Sequence, residues 1–259
     1  MYNLLKIEFM KLRKSKEFWY IFLGTGLISI GLVCNDIYDM ELFIKKMTTE
    51  YSINGLSVYM EGINGKLYVG ILQSIIVIIF ICKDFEKRIV QNEYLAGYSR
   101  FEILMSKVII CIVINIILEF FFVFVRTIGT SSLYGLGESL TFTLVLKMLK
   151  IYLLSTLIRF SIITVAIMIA YIFKTISISI LVWLGVFFGY LIGLEVLTEV
   201  FKSEQSLQYL ANNSIFQFYN MLKLDMLLED ILYIISMSSL RIFVILIITY
   251  VIFRKAELR

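Results

Sequence analysis

Hydrophobic residues form six long runs along this chain, and shorter polar segments separate them. Most of the runs approach the ~20 residues that a helix needs to cross a bilayer, and none alternates like a half-buried strand. The pattern predicts an all-α polytopic membrane protein with one domain over residues 1–259. The expected spans are residues 18–34, 65–82, 104–125, 150–173, 176–194 and 238–253.

Residues 1–17 predict an amphipathic helix that lies in the membrane interface. Its apolar face contains Tyr2, Leu5, Phe9 and Leu12. Lys11 and Lys14 lie roughly opposite this face, as expected for an interfacial helix. A basic topology signal with no further role is the alternative. Near the other end of the chain, residues 222–235 predict short or re-entrant helices before the last span, because they are amphipathic but too charged to cross.

The composition supports the membrane assignment and excludes several chemistries. The chain is 60% hydrophobic and 17% charged, with a mean hydropathy of +0.89. It contains no histidine, which excludes Ser–His hydrolysis and histidine ligation of zinc or haem. Its three cysteines form no CxxC pair, so we expect no metal site.

The distribution of basic residues predicts the orientation. Placing the N-terminus in the cytoplasm puts more lysine and arginine residues inside than outside, as the positive-inside rule requires. Both termini are then cytoplasmic. The polar segment from Gln91 to Lys107 is cytoplasmic as well.

This polar segment predicts a short helix, a turn and a capped entry into the third span. Helical spacing runs from Asp84 to Leu95, and Gly97 can adopt the positive φ of a turn. Ser99 and Glu102 have the spacing of a capping box. A plain cytoplasmic hairpin explains the charge, but a charged, aromatic helix also suits docking to a cytoplasmic partner.

The same segment resembles a loop of a known family. Its matching residues are Phe85, Arg88, Asn92, Leu95, Gly97, Ser99, Arg100 and Lys107. They are similar to the loop between the second and third spans of type 2 ABC-transporter permeases, in particular the small six-span permeases of bacitracin- and lantibiotic-type peptide export or self-immunity. The opening LLKIEFMKLRKSKEFWYIF is similar to the N-terminal helix of those permeases.

The resemblance implies a partner and a place in the cell. The loop helix would be the coupling helix that docks on a separate ABC ATPase subunit in the bacterial cytoplasmic membrane. The residues implied for ATPase coupling are Phe85, Glu86, Arg88, Asn92, Glu93, Tyr94, Gly97, Ser99, Arg100 and Lys174. No GxxxxGK[ST] motif is present, so ATP and Mg would be bound by the partner, and this chain would not be an enzyme.

The resemblance further implies export of an amphiphilic peptide or lipid-like substrate by two permease copies, identical or related. Gly185, Gly189 and Gly193 form a GxxxGxxxG stripe that favours close helix packing, within the chain or at a dimer seam. Gly24 and Gly26 offer a second small face. We expect no nucleic-acid partner.

Two charges fall inside predicted spans. Glu119 and Arg159 lie at similar depth, about 10–14 Å below the outer boundary at 1.5 Å per residue. Intramembrane charges are usually paired or functional, so we expect an ion pair, with a role in lining a translocation path as the alternative.

A non-transporting membrane sensor or scaffold that anchors a cytoplasmic partner remains open from the sequence. It explains the basic loop equally well but does not require the glycine stripe. An intramembrane enzyme is less favoured, because no catalytic set of side chains is visible at a suitable depth.

Overall fold

The computed structural model describes residues 1–46, 54–63, 67–200 and 215–256. Within these ranges the chain forms helices and no strands. The helices are α1 (Tyr2–Lys14), α2 (Lys16–Lys46), α3 (Gly55–Ile63), α4 (Leu67–Glu86), α5 (Ile89–Leu95), α6 (Arg100–Tyr134), α7 (Phe142–Phe173), α8 (Ile176–Val200), α9 (Ile215–Met221) and α10 (Leu228–Lys255).

Five of the described helices are long and apolar enough to cross a membrane. They are α2, α6, α7, α8 and α10, and they match five of the six predicted spans. The remaining predicted span corresponds to α4, a 20-residue helix whose last turn carries Lys83, Asp84 and Glu86. The all-α, polytopic fold class is confirmed, while the crossing by α4 stays a prediction.

The helices extend well beyond the apolar runs that predict them. α6 has 35 residues, which corresponds to about 52 Å at 1.5 Å per residue and exceeds the ~40–45 Å of a bilayer with its headgroups. The last span begins at Leu228 rather than at 238. An apolar run marks the hydrocarbon slab, whereas helical hydrogen bonding continues into the polar region as long as packing supports it.

Several contacts place both ends of the described chain on one side of the bundle. The N-terminal ammonium lies 3.3 Å from Glu102 near the start of α6. Arg100, in the same turn, bonds the carbonyl groups that end α10. Glu86 at the end of α4 accepts a hydrogen bond from the first residue of α8. We call this side the α5 end, and the opposite side the α3 end.

The interior consists of two hydrophobic clusters stacked along the bundle. The larger one lies toward the α5 end and includes Leu4, Val90 and Phe253. The smaller one lies toward the α3 end, where α3 and α9 contribute Tyr59 and Phe218. α7 packs against α4, α8 and α10 and is the central helix. In α10 and in the described part of α8, about half of the apolar side chains are exposed, as expected for surfaces that face lipid or another subunit.

The predicted N-terminal helix is present as α1, but its packed face differs from the predicted one. Its position in the membrane interface stays a prediction. Leu4, Glu8 and Leu12 are buried against the bundle, whereas Tyr2 is 80% exposed and Phe9 is 51% exposed. The helix therefore buries the face that contains the Glu8 carboxylate, because Lys107 of α6 pairs with that carboxylate. Tyr2 and Phe9 lie on the outer side of the helix, where a membrane surface can receive them.

The segment predicted as short outer helices is also different. Residues 222–227 form a connection, and residues 228–235 are the first turns of α10. The short helix before the last span is α9, at Ile215–Met221, where Phe218 and Tyr219 are buried. Burial of these aromatic rings against α7 explains why the short helix forms there.

Candidate functional site

The segment between α4 and α6 is a short helix held between two turns. α4 ends at Glu86, and Arg88 adopts a left-handed conformation with a φ of 57° before α5 begins. Gly97 has a φ of 93°, as expected from the sequence. The Glu102 amide donates to Ser99 Oγ at 3.2 Å, and the Ser99 amide donates to Glu102 Oε2 at 3.0 Å. This confirms the predicted capping box and fixes the angle between α5 and α6.

The outer surface of α5 contains several of the residues expected to contact a partner. Asn92 and Gly97 are exposed, and Tyr94 is 47% exposed. Leu95 is 81% exposed, which is unusual for an apolar side chain at a helix end that follows a charged segment. Arg88, which is also exposed, directly precedes α5.

Other expected contact residues instead brace the segment from within. The Phe85 ring packs edge-to-face on Tyr171 at 5.3 Å and on Phe253 at 6.2 Å. The Lys174 ammonium lies 5.9 Å from the centre of the same ring. Lys174 has a φ of 58° and forms the tight α7–α8 turn. Phe85 therefore links α4 to α7 and α10 and presents little surface to a partner.

Arg100 is likewise committed to an internal role. Its Nη1 donates to the carbonyl oxygens of Phe253 at 2.7 Å and Ala256 at 2.8 Å. Its guanidinium also lies 5.4 Å from the centre of the Tyr94 ring. The carbonyls at a helix C-terminus have no partners within the helix, and a cation there is favoured by the helix dipole. Arg100 thus ties the start of α6 to the end of α10.

A buried cluster of five charged side chains lies beneath α5. Its members are Glu8, Lys11, Asp84, Glu93 and Lys107, and we call it the buried charge cluster. Lys11 Nζ lies 2.8 Å from Glu8, 2.8 Å from Glu93 and 3.1 Å from Asp84. Lys107 Nζ lies 3.2 Å from Glu8 and also bonds Asp84. Because its members come from α1, α4, α5 and α6, the cluster joins four helices.

Two carboxyl groups of the cluster have opposite pKa shifts. Burial acts to raise the pKa of Glu8, but the combined attraction of Lys107 and Lys11 outweighs it and leaves the pKa below its usual value. Burial dominates at Glu93 and raises its pKa despite the same two lysines. Three carboxyl groups face two ammonium groups, and Glu93, with its raised pKa, is the carboxyl whose protonation would balance the charge of the cluster.

Sequence reasoning missed this cluster, although two signals were available. Glu8 interrupts the Leu4–Leu12 stripe of α1, and Lys107 interrupts the third apolar run. The carboxylate oxygens of Glu8, Asp84 and Glu93 lie within 4.8 Å of one another, a spacing that could hold a metal ion. Lys11 and Lys107 already pair with these three carboxyl groups, so the cluster is a salt-bridge network.

The family model for ABC-2 family transporter protein matches residues 4–193. The chain belongs to the ABC-2 transporter family. The match begins in α1 and continues into α8, so it includes the whole α4–α5–α6 segment. No curated protein matches the chain.

Membership identifies this ABC-2 protein as the membrane component of a transporter and implies an ABC ATPase as its partner. The membrane component is not itself the ATPase. Within the permease, the surface that a cytoplasmic subunit can reach must lie at an end of the bundle. The α5 end offers an exposed helix there, held by the capping box and the buried charge cluster.

The intramembrane charges of the permease lie side by side. Arg159 Nε is 3.4 Å from Glu119 Oε2, and both side chains are almost completely buried. Ser155 donates to the other carboxylate oxygen of Glu119, and the Arg159 guanidinium lies 5.7 Å from the centre of the Tyr219 ring. The pair therefore joins α6 to α7 in the interior, away from any open surface.

Further polar groups near this pair were not predicted. Gln73 donates to the Asn115 carbonyl at 3.3 Å, and Asn115 Nδ2 donates to the Thr156 carbonyl at 3.0 Å. Toward the α3 end, buried Arg126 lies 3.0 Å from Asp36 and 2.8 Å from Glu61. Each of these groups is an isolated polar residue in its own segment, and only the packing of helices shows its partners.

The glycines divide into two classes. A Cβ at Gly26 would lie 2.8 Å from the Phe121 ring, so this glycine permits close packing of α2 on α6. A Cβ at Gly24, Gly185, Gly189 or Gly193 would meet no described atom within 4 Å. The GxxxGxxxG stripe of α8 is therefore not packed against described parts of its own chain.

An apolar cavity opens between α7, α8 and α10, with a volume of about 300 Å³. Trp183, Phe187 and Tyr190 line it on α8, and Arg241 contributes a guanidinium from the middle of α10. The Arg241 guanidinium lies 4.8 Å from the centre of the Phe218 ring of α9.

Proposed function

We propose that this permease is the membrane subunit of a two-component exporter of an amphiphilic substrate, such as an antimicrobial peptide, in peptide export or self-immunity. The match to the ABC-2 family over residues 4–193 carries the transporter assignment. The peptide subtype rests on the resemblance of the loop and N-terminal helix to bacitracin- and lantibiotic-type permeases.

α5 is the proposed coupling helix. Its exposed side offers Asn92, Tyr94 and Leu95 to a groove of the ATPase, and aromatic and apolar anchors of this kind dominate the energy of many interfaces. ATP and Mg would be held by the ATPase subunit. The short α7–α8 turn at Lys174 lies beside Phe85 and supplies a second, smaller contact.

The buried charge cluster transmits movement of α5 to the bundle. Glu93 of α5 shares Lys11 with α1 and α4, and Lys107 continues the network into α6. A displacement of α5 that leaves these helices in place therefore separates the Glu93 carboxyl from Lys11, which leaves buried polar groups without partners and costs about 1–3 kcal/mol. Closure of the ATPase would use this linkage to switch the permease between two arrangements.

A second permease copy would pack on α8. The open stripe at Gly185, Gly189 and Gly193 lets two helix backbones approach closely, and either an identical or a related chain can supply the other helix. The orientation that satisfies the positive-inside rule places the α5 end in the cytoplasm of a bacterial cell, together with both termini.

The cargo is proposed to be amphiphilic because the accessible cavity combines apolar walls with a guanidinium. Trp183, Val186 and Phe187 suit an apolar group, and Arg241 suits a polar or anionic one. Such a cavity at membrane depth favours a substrate that partitions into the bilayer.

The proposal is tested by co-purification of this permease with a P-loop ABC ATPase from membranes that contain both. Leu95→Asp places a charge at the centre of the docking surface and is expected to reduce ATPase recovery at least tenfold. Leu140→Asp is the matched control, because Leu140 is 72% exposed in the α6–α7 connection at the α3 end.

Normal ATPase recovery with Leu95→Asp would remove α5 from the interface. Failure of the wild-type permease to bind any P-loop ATPase would favour a non-transporting sensor or scaffold. Uptake of a labelled amphiphilic peptide into inside-out vesicles, measured with and without ATP, tests the substrate class separately.

A further inference from the structure

A second cavity lies at the α5 end, between α1 and α4. It has a volume of about 270 Å³ and opens to the surface of the bundle. Four lysines surround its mouth, and its floor is apolar. The lining residues are Lys11, Lys14, Ser15, Ile76, Ile79, Phe80, Lys83, Asp84, Lys87 and Ile89. We call this cavity the α1–α4 groove.

Two of the four lysines form salt bridges with carboxylates, and the other two form none in the described part of the chain. Lys11 belongs to the buried charge cluster, and Lys83 lies 2.6 Å from Glu17. Lys14 and Lys87 are exposed, and no salt bridge in the described part of the chain involves either of them. The groove therefore keeps an excess of positive charge at its mouth after its internal pairs are counted.

The part of the apolar floor on α4 lies farther from the α5 end than Lys83 and Lys87. Ile76 precedes Lys83 by seven residues on the same helix, which corresponds to about 10 Å at 1.5 Å per residue. Ile76 and Phe80 are buried at this depth, and Ile79 is half-buried. A ligand that fills the groove must combine an anionic group at the mouth with an apolar chain along α4.

We propose that the α1–α4 groove binds one anionic phospholipid of the inner leaflet. Its phosphodiester would lie between Lys14 and Lys87, and an acyl chain would follow Ile76, Ile79 and Phe80. Basic pockets between helices on the cytoplasmic side suit anionic headgroups. An acidic segment of a soluble partner fits less well, because it would leave the apolar floor uncovered.

The proposal is independent of the transported substrate and of the ATPase. It also gives α1 a defined role: the lipid would join the last turn of the interfacial helix to the end of α4, next to the buried charge cluster. An interfacial helix with a second anchor of this kind is held against the bundle at two points.

The test uses native mass spectrometry of the full-length chain in detergent. Phosphatidylglycerol and phosphatidylcholine with the same acyl chains are titrated separately. Wild type is expected to retain one phosphatidylglycerol far more tightly than phosphatidylcholine. Each lysine near a membrane surface contributes about fivefold in affinity, so Lys14→Gln with Lys87→Gln should weaken phosphatidylglycerol binding about 25-fold.

The matched control is Lys6→Gln with Lys255→Gln, which removes the same charge from exposed positions outside the groove and should bind like wild type. Lys14→Arg with Lys87→Arg should also retain binding. Unchanged affinity of the double glutamine variant, or equal affinity of wild type for both lipids, would overturn the proposal. Displacement of the lipid by equimolar inorganic phosphate would assign the groove to a free anion and likewise reject it. If the double variant aggregates, Lys87→Gln alone is tested. A fivefold loss of affinity for phosphatidylglycerol would support the proposal, and unchanged affinity would overturn it.

Discussion

Arg100 Nη1 donates a hydrogen bond to the Phe253 carbonyl at 2.7 Å, which joins the first turn of α6 to the last turn of α10. These residues are far apart in sequence, and the contact joins the start of α6 to the C-terminal end of α10. The carbonyls of Arg254 and Ala256 accept from the same nitrogen, at 2.5 and 2.8 Å.

Arg100→Gln should release the end of α10. The neutral amide cannot serve three carbonyls and loses the favourable interaction with the helix dipole, so we expect a loss of about 1–2 kcal/mol in stability. Hydrogen–deuterium exchange of the C-terminal peptide should rise at least tenfold. Lys255→Gln removes a cation from the same helix end without touching Arg100 and serves as the control. Unchanged exchange in Arg100→Gln would contradict the capping role.

The two glutamates of the buried charge cluster should respond differently to neutralisation. Glu8→Gln leaves the ammonium groups of Lys11 and Lys107 undercompensated, and we expect about 3 kcal/mol of destabilisation. Glu93→Gln should be nearly neutral at low pH, since the raised pKa of Glu93 favours its protonated form. The thermal unfolding midpoint in detergent measures both effects.

The pH dependence follows from the directions of the two pKa shifts. A carboxyl with a raised folded-state pKa contributes stability that is present at low pH and is lost as the pH rises through that pKa. Wild-type stability should therefore decrease as the pH rises through the raised pKa of Glu93, and Glu93→Gln should not show this decrease. Glu8 behaves oppositely, because its lowered pKa gives a contribution that disappears as the pH falls. A Glu93→Gln variant with the same stability-versus-pH curve as wild type would show that the pKa of Glu93 does not differ between the folded and unfolded states, which would contradict the raised pKa.

Exchange of the intramembrane charges should preserve assembly better than their removal. Glu119→Ala and Arg159→Ala each leave a buried charge without its counter-ion, which typically costs 3–5 kcal/mol. Glu119→Arg with Arg159→Glu restores opposite charges at the same depth. Monodisperse yield on size-exclusion chromatography should be low for both single variants and higher for the exchange. Normal assembly of both alanine variants and failure of the exchange would reject a structural pair.

Leucine substitutions should separate the two classes of glycine. Gly26→Leu inserts a side chain where a single Cβ already approaches Phe121, so the monomer itself should be destabilised by several kcal/mol. Gly189→Leu meets no described atom of its own chain and should leave the monomer folded. If α8 forms the dimer seam, Gly189→Leu lowers the mass measured by multi-angle light scattering from two copies to one. A Gly189→Leu dimer of wild-type stability would exclude this seam.

Local sequence signals predicted the helix, the turn and the helix cap in the segment between α4 and α6. Ser99 and Glu102 form their capping box, and Gly97 has its positive φ, because both depend on residues only a few positions apart. The sequence did not predict that the helix is interrupted at Arg88, because an arginine rarely adopts the left-handed conformation and no neighbouring residue indicates it. The partners of Phe85 and Arg100 within the chain were not anticipated, because their ring contacts and acceptors lie on α7 and α10. Their contact with an ATPase stays a prediction.

The sequence by itself determined the all-α membrane class, five of the spans and the position of the loop helix. These follow from the length of apolar runs and from short-range backbone chemistry. Only the tertiary structure decided that Glu8 and Lys11 turn inward, that Arg100 caps α10 and that Lys14 and Lys87 share a groove. Each of those outcomes depends on the free energy of burying a charge, which is set by partners that distant helices bring within a few ångströms and that no local pattern contains.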